Sequence, residues 1–146
     1  MAGIRCMVSH DDRPATLGRI LVIDDDAALV EVLTSSLVES GFDVISAHHG
    51  GDGLMLADVQ KPDLVLLDVR MPGMSGVEVL QQMRTRWPRL PVIVITGLGD
   101  TGLARALLDR GAFDYIAKPF DHDHLQRCVA AALTMLKPRS RSAAIA

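Results

Sequence analysis

Cysteine and aromatic residues are scarce in this chain of 146 residues. Its two cysteines, Cys6 and Cys128, are too few and too far apart for a disulfide framework or a zinc site, so we expect free thiols. Aromatic residues make up 3% of the chain, which argues against the stacking platforms that bind single-stranded nucleic acid. The net charge is -3 and no basic stripe is present, so no direct nucleic acid binding is expected.

Long apolar segments are missing too. No stretch reaches the roughly 18 apolar residues of a membrane-spanning helix, and the first residues lack a signal-peptide pattern, so we expect a cytoplasmic protein without membrane contact. The 49% of hydrophobic residues suffices for the core of one domain. We expect a flexible leader at 1–18 and a folded domain at 19–136. Residues 137–146, where apolar periodicity is lost after Pro138, are predicted to be a tail or the start of a linker.

Short apolar runs alternate with helical patterns along the folded region. The wholly apolar runs 20–23, 64–67 and 92–95 predict central strands buried on both faces, whereas 42–47 and 114–117 are typical of edge strands. Strands that alternate with helices indicate a parallel sheet covered on both faces. We therefore predict an α/β fold, a doubly wound five-stranded parallel sheet with strand order 2-1-3-4-5, as in flavodoxin-like proteins.

Local signals mark where several helices begin or end. Ser75-Gly76-Val77-Glu78 has the spacing of a capping box, which predicts the start of a third helix. The loop after the fourth strand is rich in glycine and leads into a fourth helix that ends near Arg110. Asp121 is placed to cap a fifth helix, whose apolar stripe runs from Leu125 to Leu136.

Polar side chains follow four of the five predicted strands. They are Asp24 and Asp25 after the first strand, Asp68 at the end of the third, Thr96 at the end of the fourth and Lys118 after the fifth. Because the carboxyl ends of parallel strands share one edge of the sheet, we expect these groups to meet in one crevice. Carboxylates about 4 Å apart repel by about 4 kcal/mol at an effective dielectric constant of ~20, so the cluster must keep protons or hold a cation. Hard carboxylate oxygens favour Mg²⁺.

The same groups suit phosphoryl transfer. An ionised Asp68 can attack a phosphoryl group without help from a general base, which gives an aspartyl phosphate. Lys118 offers a positive charge and Thr96 a hydroxyl donor to the phosphoryl oxygens. The Lys118–Pro119 bond is a candidate for a cis peptide, which would aim the lysine inward.

At this point the sequence resembles a receiver domain of a two-component response regulator, of the chemotaxis-regulator type. The resemblance covers about Arg19–Leu136 and is carried by ILVIDDD, LVLLDVRMPGMSG, VIVITG and GAFDYIAKPF. It implies that Asp68 is the phosphoacceptor and that Asp25 is a direct Mg²⁺ ligand. It further implies that Asp24 binds the metal through water and that Arg70 contributes its backbone carbonyl.

The resemblance also implies how a phosphorylated state would be read out. Thr96 would be the switch hydroxyl, Lys118 the phosphate-contacting lysine, and Tyr115 the aromatic residue that rotates inward. The implied function is a regulatory phosphoacceptor, not an enzyme with turnover beyond its own dephosphorylation. It would take its phosphoryl group from a histidine kinase or a phosphotransfer protein. The surface of the fourth helix, fifth strand and fifth helix would change, and could mediate a homodimer. The side chains of Arg70 and Leu98 are expected to overhang the site and to set the lifetime of the phosphorylated state.

Two other functions share parts of this pattern. A haloacid-dehalogenase-like phosphatase also uses a strand-end aspartate and Mg²⁺, but it needs a second aspartate where Arg70 stands. At the other acidic run, its expected threonine or valine is Ala28. A receiver-like module used only for binding usually lacks one of the site residues, and none is missing here.

Overall fold

Five strands alternate with five helices in the computed structural model, which describes residues 16–97 and 99–145, except for the side chains at 101 and 135–145. The strands are β1 Arg19–Ile23, β2 Asp43–Ala47, β3 Leu64–Asp68, β4 Val92–Thr96 and β5 Asp114–Ala117. The helices are α1 Ala27–Glu39, α2 Gly50–Gln60, α3 Gly76–Arg86, α4 Thr101–Asp109 and α5 His122–Ile145. Across the described residues, no helix combines the length and the apolar character needed to span a membrane.

The strands form one parallel sheet in the order β2-β1-β3-β4-β5. Strands β3 and β4 are buried along their whole length, because their side chains are apolar until the last residue, Asp68 or Thr96. The edge strands β2 and β5 are partly exposed. The predicted fold, strand order and edge strands are thus confirmed. The order reverses between β1 and β3, which opens a crevice at the carboxyl edge of the sheet.

Alternate residues of each central strand point to two apolar layers. In β3, Leu64 and Leu66 pack with α1 and α5 on one face, while Val65 and Leu67 pack with α2, α3 and α4 on the other. Most side chains in both layers are aliphatic and fully or nearly buried. Burial on both faces holds the central strands rigidly, so the groups at their ends are held in place by the core.

The turn after β3 packs tightly against the end of that strand. The amide of Gly76 donates a hydrogen bond of 3.1 Å to the carbonyl oxygen of Val69. A Cβ atom on Gly76 would lie 2.6 Å from Val69 Cα and 2.9 Å from the carbonyl oxygen of Asp68. The chain can therefore turn into α3 at this point only because residue 76 has no side chain.

Side-chain caps begin α3 and α5 where the sequence predicts them. Ser75 Oγ accepts from the amide of Glu78 at 3.4 Å, and Glu78 Oε1 accepts from the amide of Ser75 at 3.1 Å, which completes the capping box. Asp121 Oδ1 accepts from the amide of His124 at 2.7 Å. Each cap satisfies amide groups that have no partner within the helix.

The structure differs from the sequence-based expectation at the end of α5. This helix continues to Ile145, beyond the predicted end at Leu136. The helix runs through Pro138 although proline disfavours a helix interior, and the alanine and arginine residues that follow it have a high helix propensity. The domain boundary at 136 stays a prediction. Residues 1–15 of the predicted leader lie outside the described part of the chain.

Candidate functional site

Three carboxylates meet at the carboxyl edge of the sheet. One oxygen from each of Asp24, Asp25 and Asp68 lies within 4.8 Å of the other two. Asp24 and Asp68 are buried, with Asp68 only 5% exposed, whereas Asp25 is exposed to solvent. Strands β1 and β3 are neighbours in the sheet, which explains why residues after one strand reach the last residue of the other.

Asp24 is held by backbone groups and keeps one oxygen without a hydrogen bond. Its Oδ1 accepts from the amide of Asp26 at 2.9 Å, and its own amide donates to the carbonyl oxygen of Ala47 at 3.1 Å. Within the described residues, Asp24 Oδ2 is buried and has no hydrogen-bond partner. Burying a charged oxygen without a partner costs free energy, so this atom indicates a place for a cation.

The carboxylate set fits a magnesium ion. Mg²⁺ takes hard oxygen ligands, usually one or two carboxylates, and keeps several waters. Asp24 and Asp68 supply buried oxygens, and the exposed Asp25 lies on the solvent side. Asp24 Oδ2, which lacks a hydrogen bond, would gain a favourable interaction from a cation bound directly or through water.

Lys118 is the cation that faces these carboxylates. Its Nζ lies 3.7 Å from Asp68 Oδ1 and 3.9 Å from Asp24 Oδ2. The amide of Lys118 donates a hydrogen bond of 2.7 Å to the carbonyl oxygen of Thr96, and the Lys118–Pro119 peptide is cis, as anticipated. The ammonium group is thus available both to the carboxylates and to an anion that binds beside them.

Asp68 has a perturbed acidity. Burial, with a further contribution from the charge of Asp24, raises the pKa of Asp68 to about 6. The charge of Lys118 and a hydrogen bond from the amide of Arg70, 3.4 Å from Asp68 Oδ1, act in the opposite direction. Asp68 is therefore ionised near neutral pH but only narrowly, and an added cation would favour its nucleophilic form.

The two predicted switch residues lie at different depths. Thr96, the last residue of β4, is 2% exposed and stands at the same sheet edge as Asp68, which pairs in register with Ile95. Tyr115 lies inside β5 and packs, partly buried, in the apolar layer on the side of α2, α3 and α4. The structure thus brings Thr96 to the crevice edge and leaves Tyr115 outside the carboxylate cluster.

Asp100 is a residue of this region that sequence reasoning missed. Its carboxylate accepts two hydrogen bonds from the Arg70 guanidinium, Oδ2 from Nε at 2.7 Å and Oδ1 from Nη2 at 2.6 Å. These hydrogen bonds join the loop after β3, which carries Arg70, to the loop after β4. That the Arg70 side chain overhangs the site stays a prediction. Leu98, the other residue expected there, lies outside the described residues. An acidic residue in a glycine-rich loop just before a helix was the available signal for Asp100.

Comparison with known proteins decides the family. The family model for the response regulator receiver domain matches residues 20–130. The chain belongs to this family. Receiver domains are the regulatory, phosphorylation-controlled domains of two-component response regulators, and they typically bind Mg²⁺ at an acidic pocket. The recognition made from the four sequence segments is thereby confirmed.

Similar receiver domains occur within longer regulators and as separate chains. The chain is 40% identical over 120 residues to the regulatory protein AtoC of Escherichia coli (strain K12), covering 82% of this chain and 26% of AtoC. It is 39% identical over 128 residues to the response regulator MprA of Mycobacterium avium (strain 104), covering 88% of this chain and 56% of MprA. The chain thus spans only part of the length of these relatives.

Solved structures support the same assignment. A crystal structure of NtrX from Brucella abortus matches with a TM-score of 0.84 and 29% identity, over 88% of this chain and 30% of NtrX. A CheY-like receiver domain protein from Methanospirillum hungatei JF-1 matches with a TM-score of 0.80 and 29% identity, over 85% of this chain and 99% of that protein. The receiver fold is therefore shared over nearly the whole described chain.

Proposed function

We propose that Asp68 accepts a phosphoryl group from the phosphohistidine of a sensor histidine kinase or of a phosphotransfer protein. The observation that carries this proposal is the position of Asp68: a buried strand-end carboxylate, grouped with Asp24 and Asp25 and 3.7 Å from Lys118 Nζ. A carboxylate in this setting is a ready nucleophile, and the neighbouring cation can offset negative charge on an incoming phosphoryl group.

The transfer itself balances without a further reactant. A carboxylate oxygen of Asp68 forms a bond to phosphorus while the P–N bond of the donor breaks. The electron pair of that bond returns to the imidazole nitrogen, which takes a proton from solvent. Asp68 becomes an acyl phosphate, and Lys118 pairs with an oxygen of the transferred group. Later attack by water on phosphorus breaks the P–O bond, releases inorganic phosphate and restores the carboxylate. This hydrolysis would be the domain's only catalytic act.

The metal proposed here is Mg²⁺, held by Asp25 and Asp68 directly, by Asp24 through water and by the backbone carbonyl of Arg70. When bound, Mg²⁺ supplies positive charge to the phosphoryl oxygens. Of the four residues, Asp24 has a second role, because its buried Oδ2 also faces Lys118 Nζ at 3.9 Å. The pairwise repulsion of the three carboxylates would be relieved by the same charge.

The proposed readout runs from Thr96 to the surface formed by α4, β5 and α5. The hydroxyl of Thr96 would bind a phosphoryl oxygen, and Tyr115 would rotate inward as the loop after β4 moves. The glycines at 97 and 99 give this loop the freedom to move, and Gly102 follows in the first turn of α4. The changed surface would then bind a partner or a second copy of the chain. A histidine kinase is phosphorylated by ATP, which is found in the cytoplasm. A protein that receives its phosphoryl group from such a kinase would therefore be cytoplasmic.

Phosphoramidate tests the proposal because its P–N bond breaks as that of phosphohistidine does. With Mg²⁺ present, the intact mass of the protein should increase by one phosphoryl group, and Asp68→Asn should abolish the increase. Asp63→Asn is the matched control: Asp63 precedes β3 at the opposite edge of the sheet, where its Oδ2 accepts from the amide of Arg19 at 2.8 Å. Equal labelling of the Asp68→Asn variant would refute the proposal.

A further inference from the structure

An ion pair with two short hydrogen bonds joins the two loops that flank the phosphoacceptor. Arg70 follows β3 and lies two residues after Asp68; Asp100 lies in the loop that follows β4 and immediately precedes α4. Both guanidinium–carboxylate contacts are short, at 2.6 and 2.7 Å, and form the fork geometry that arginine makes with planar anions. We call this pair the Arg70–Asp100 clasp.

The two partners of the clasp are unequally exposed. The Arg70 side chain is 71% exposed, whereas that of Asp100 is 12% exposed. The hydrogen bonds from Arg70 lower the pKa of Asp100, and those to Asp100 raise the pKa of Arg70, so both remain charged near neutral pH. Arg70 can therefore leave into solvent or turn to another anion, while Asp100 stays at the start of α4.

Asp100 occupies the N-cap position of α4 but does not cap the helix with its side chain. Its φ and ψ are -97° and 26°, not the extended values usual at an N-cap, and its carboxylate makes no cap hydrogen bond. Asp26, by contrast, stands at the start of α1 with extended backbone and accepts from two amides of the first turn. Arg70 holds both oxygens of Asp100 in the clasp, and neither oxygen makes a hydrogen bond to the first turn of α4.

A phosphoryl group on Asp68 would compete for Arg70. The backbone amide of Arg70 is 3.4 Å from Asp68 Oδ1, so the residue is already beside the reacting carboxylate. A phosphoryl group carries more negative charge than a carboxylate and presents oxygens that a guanidinium binds in the same two-pronged way. In the phosphorylated protein, the Arg70 guanidinium would therefore have two alternative anionic partners, the Asp100 carboxylate and the phosphoryl group.

We propose that Arg70 changes partner, from Asp100 before phosphorylation to the phosphoryl group after it, and that the released Asp100 then caps α4. This inference rests on the proposed function of Asp68. It assigns Arg70 as a phosphoryl-binding residue. Asp100 competes with the phosphoryl group for Arg70 and, once released, positions the start of α4. The exchange couples the chemistry at β3 to the first turn of a helix in the proposed output surface.

The surroundings leave space for this exchange. A cavity of about 440 Å³ lies between the loop after β3 and α4, and its lining includes Arg70, Met71, Val77 and Leu103. Gly99 has a positive φ of 88°, and a Cβ added there would meet nothing within 4 Å. Gly99 thus leaves open space beside the backbone just before Asp100.

Binding of beryllofluoride with Mg²⁺, a mimic of the phosphoryl group, tests the competition directly by calorimetric titration. Asp100→Asn should bind the mimic roughly 3- to 10-fold more tightly than wild type, because the mimic no longer competes with a carboxylate for Arg70. Arg70→Ala should bind it more weakly by a similar factor. The double variant should match Arg70→Ala. Asp109→Asn, which removes the same charge at the other end of α4, should bind like wild type.

The double variant separates the clasp from a general field effect. If Asp100→Asn tightens binding equally without Arg70, the gain comes from the lost negative charge and the partner exchange is refuted. Equal directions of change for the two single variants would also refute it, because a purely structural clasp predicts that outcome. If Asp100→Asn and Arg70→Ala both bind the mimic with wild-type affinity, the partner exchange is refuted as well. If the wild-type protein takes no phosphoryl group on Asp68, it is the proposed function that fails.

Amide hydrogen exchange tests the second half of the proposal. In the wild type, the amides of Gly102 and Leu103 should become more protected when beryllofluoride binds, since an N-cap carboxylate accepts from the second or third helical residue. In Arg70→Ala the protection should be present beforehand, and in Asp100→Ala it should be absent in both states. Protection in Asp100→Ala equal to that of the bound wild type would overturn the capping role.

Discussion

At Asp68, burial and a like charge oppose ionisation, while a lysine and a backbone amide favour it. The balance raises the pKa of Asp68 to about 6, because burial and Asp24 outweigh Lys118 and the amide of Arg70. An apolar side chain at this position would be buried without the free-energy cost of burying a charge. The raised pKa of the Asp68 carboxyl group therefore indicates a functional role for this residue.

The acidity of Asp68 predicts a pH dependence of stability in metal-free buffer. A raised folded-state pKa contributes stability fully below the unfolded value of 3.8, and this contribution is lost as the pH rises through about 6. At pH 7 the wild type should therefore be less stable than Asp68→Asn by about 2–3 kcal/mol. The difference should shrink toward zero near about pH 4, as measured by urea unfolding.

The comparison with Asp68→Asn isolates this one group, because other carboxylates titrate in both proteins. Asp63→Asn serves as the control, and its difference from wild type should not follow the same curve. A gap between wild type and Asp68→Asn that stays constant over this pH range would contradict the raised pKa. A more stable wild type at neutral pH would contradict the packing of the carboxylates.

Gly76 should tolerate no side chain. Gly76→Ala would place Cβ 2.6 Å from Val69 Cα, a backbone atom that cannot move alone, and should lower the free energy of unfolding by about 2–3 kcal/mol. Gly51→Ala is the control, because a Cβ there meets nothing within 4 Å, and it should stabilise α2 by about 0.5–1 kcal/mol. Urea unfolding measures both. Similar effects of the two substitutions would contradict the close packing at Gly76.

Among the elements, the end of α3 depends on one partly buried arginine, Arg84. The Arg84 guanidinium donates to the carbonyl oxygens of Trp87, Pro88, Leu90 and Gly111. Burial lowers the pKa of Arg84. The side chain joins the loop before β4 to the turn before β5, and so holds together two connections at the amino edge of the sheet, away from the site.

Replacing this arginine should cost stability but not phosphorylation chemistry. Arg84→Met should lower the free energy of unfolding by about 2–3 kcal/mol, because four carbonyl groups lose a charged donor. Arg86→Met should cost about 0.5 kcal/mol or less, since among the described residues the Arg86 side chain contacts Trp87 and makes an exposed ion pair with Asp58 at 3.9 Å. Denaturant unfolding at neutral pH measures both. A larger loss for Arg86→Met would contradict this assignment.

Sequence patterns predicted the elements well where the signal was local. Apolar runs predicted the three central strands, and Ser75–Glu78 predicted the start of α3 because a capping box depends on four consecutive residues. The carboxylate crevice was predictable because parallel topology alone brings strand ends together. The Arg70–Asp100 clasp was not, since it depends on the conformations of two loops from different strands. The extension of α5 to Ile145 was missed because an apolar stripe indicates only the part of a helix that packs on the core, and a helix can continue beyond it.

For the whole molecule, metal binding should appear as added stability. Mg²⁺ at about 100 times its Kd adds about 2.7 kcal/mol by mass action, which corresponds to a rise in Tm of about 5–10 °C for a domain of this size. Thermal unfolding with and without Mg²⁺ measures it. Asp25→Asn should lose most of this rise.

Asp26→Asn is the matched control for the metal experiment. Asp26 lies beside Asp25 in sequence but caps α1, and asparagine caps as well as aspartate does. This variant should keep the full response to Mg²⁺. An equal loss in both variants would mean that the response comes from diffuse negative charge and not from the site.

The central claim is that Asp68 carries the phosphoryl group, and locating the bond tests it most directly. The protein is incubated with phosphoramidate and Mg²⁺, the acyl phosphate is reduced with borohydride, and the reduced residue is located by tandem mass spectrometry. The account predicts reduction at Asp68 and at no other carboxylate. Reduction at Asp24, Asp25 or any other residue, with Asp68 unmodified, would contradict it.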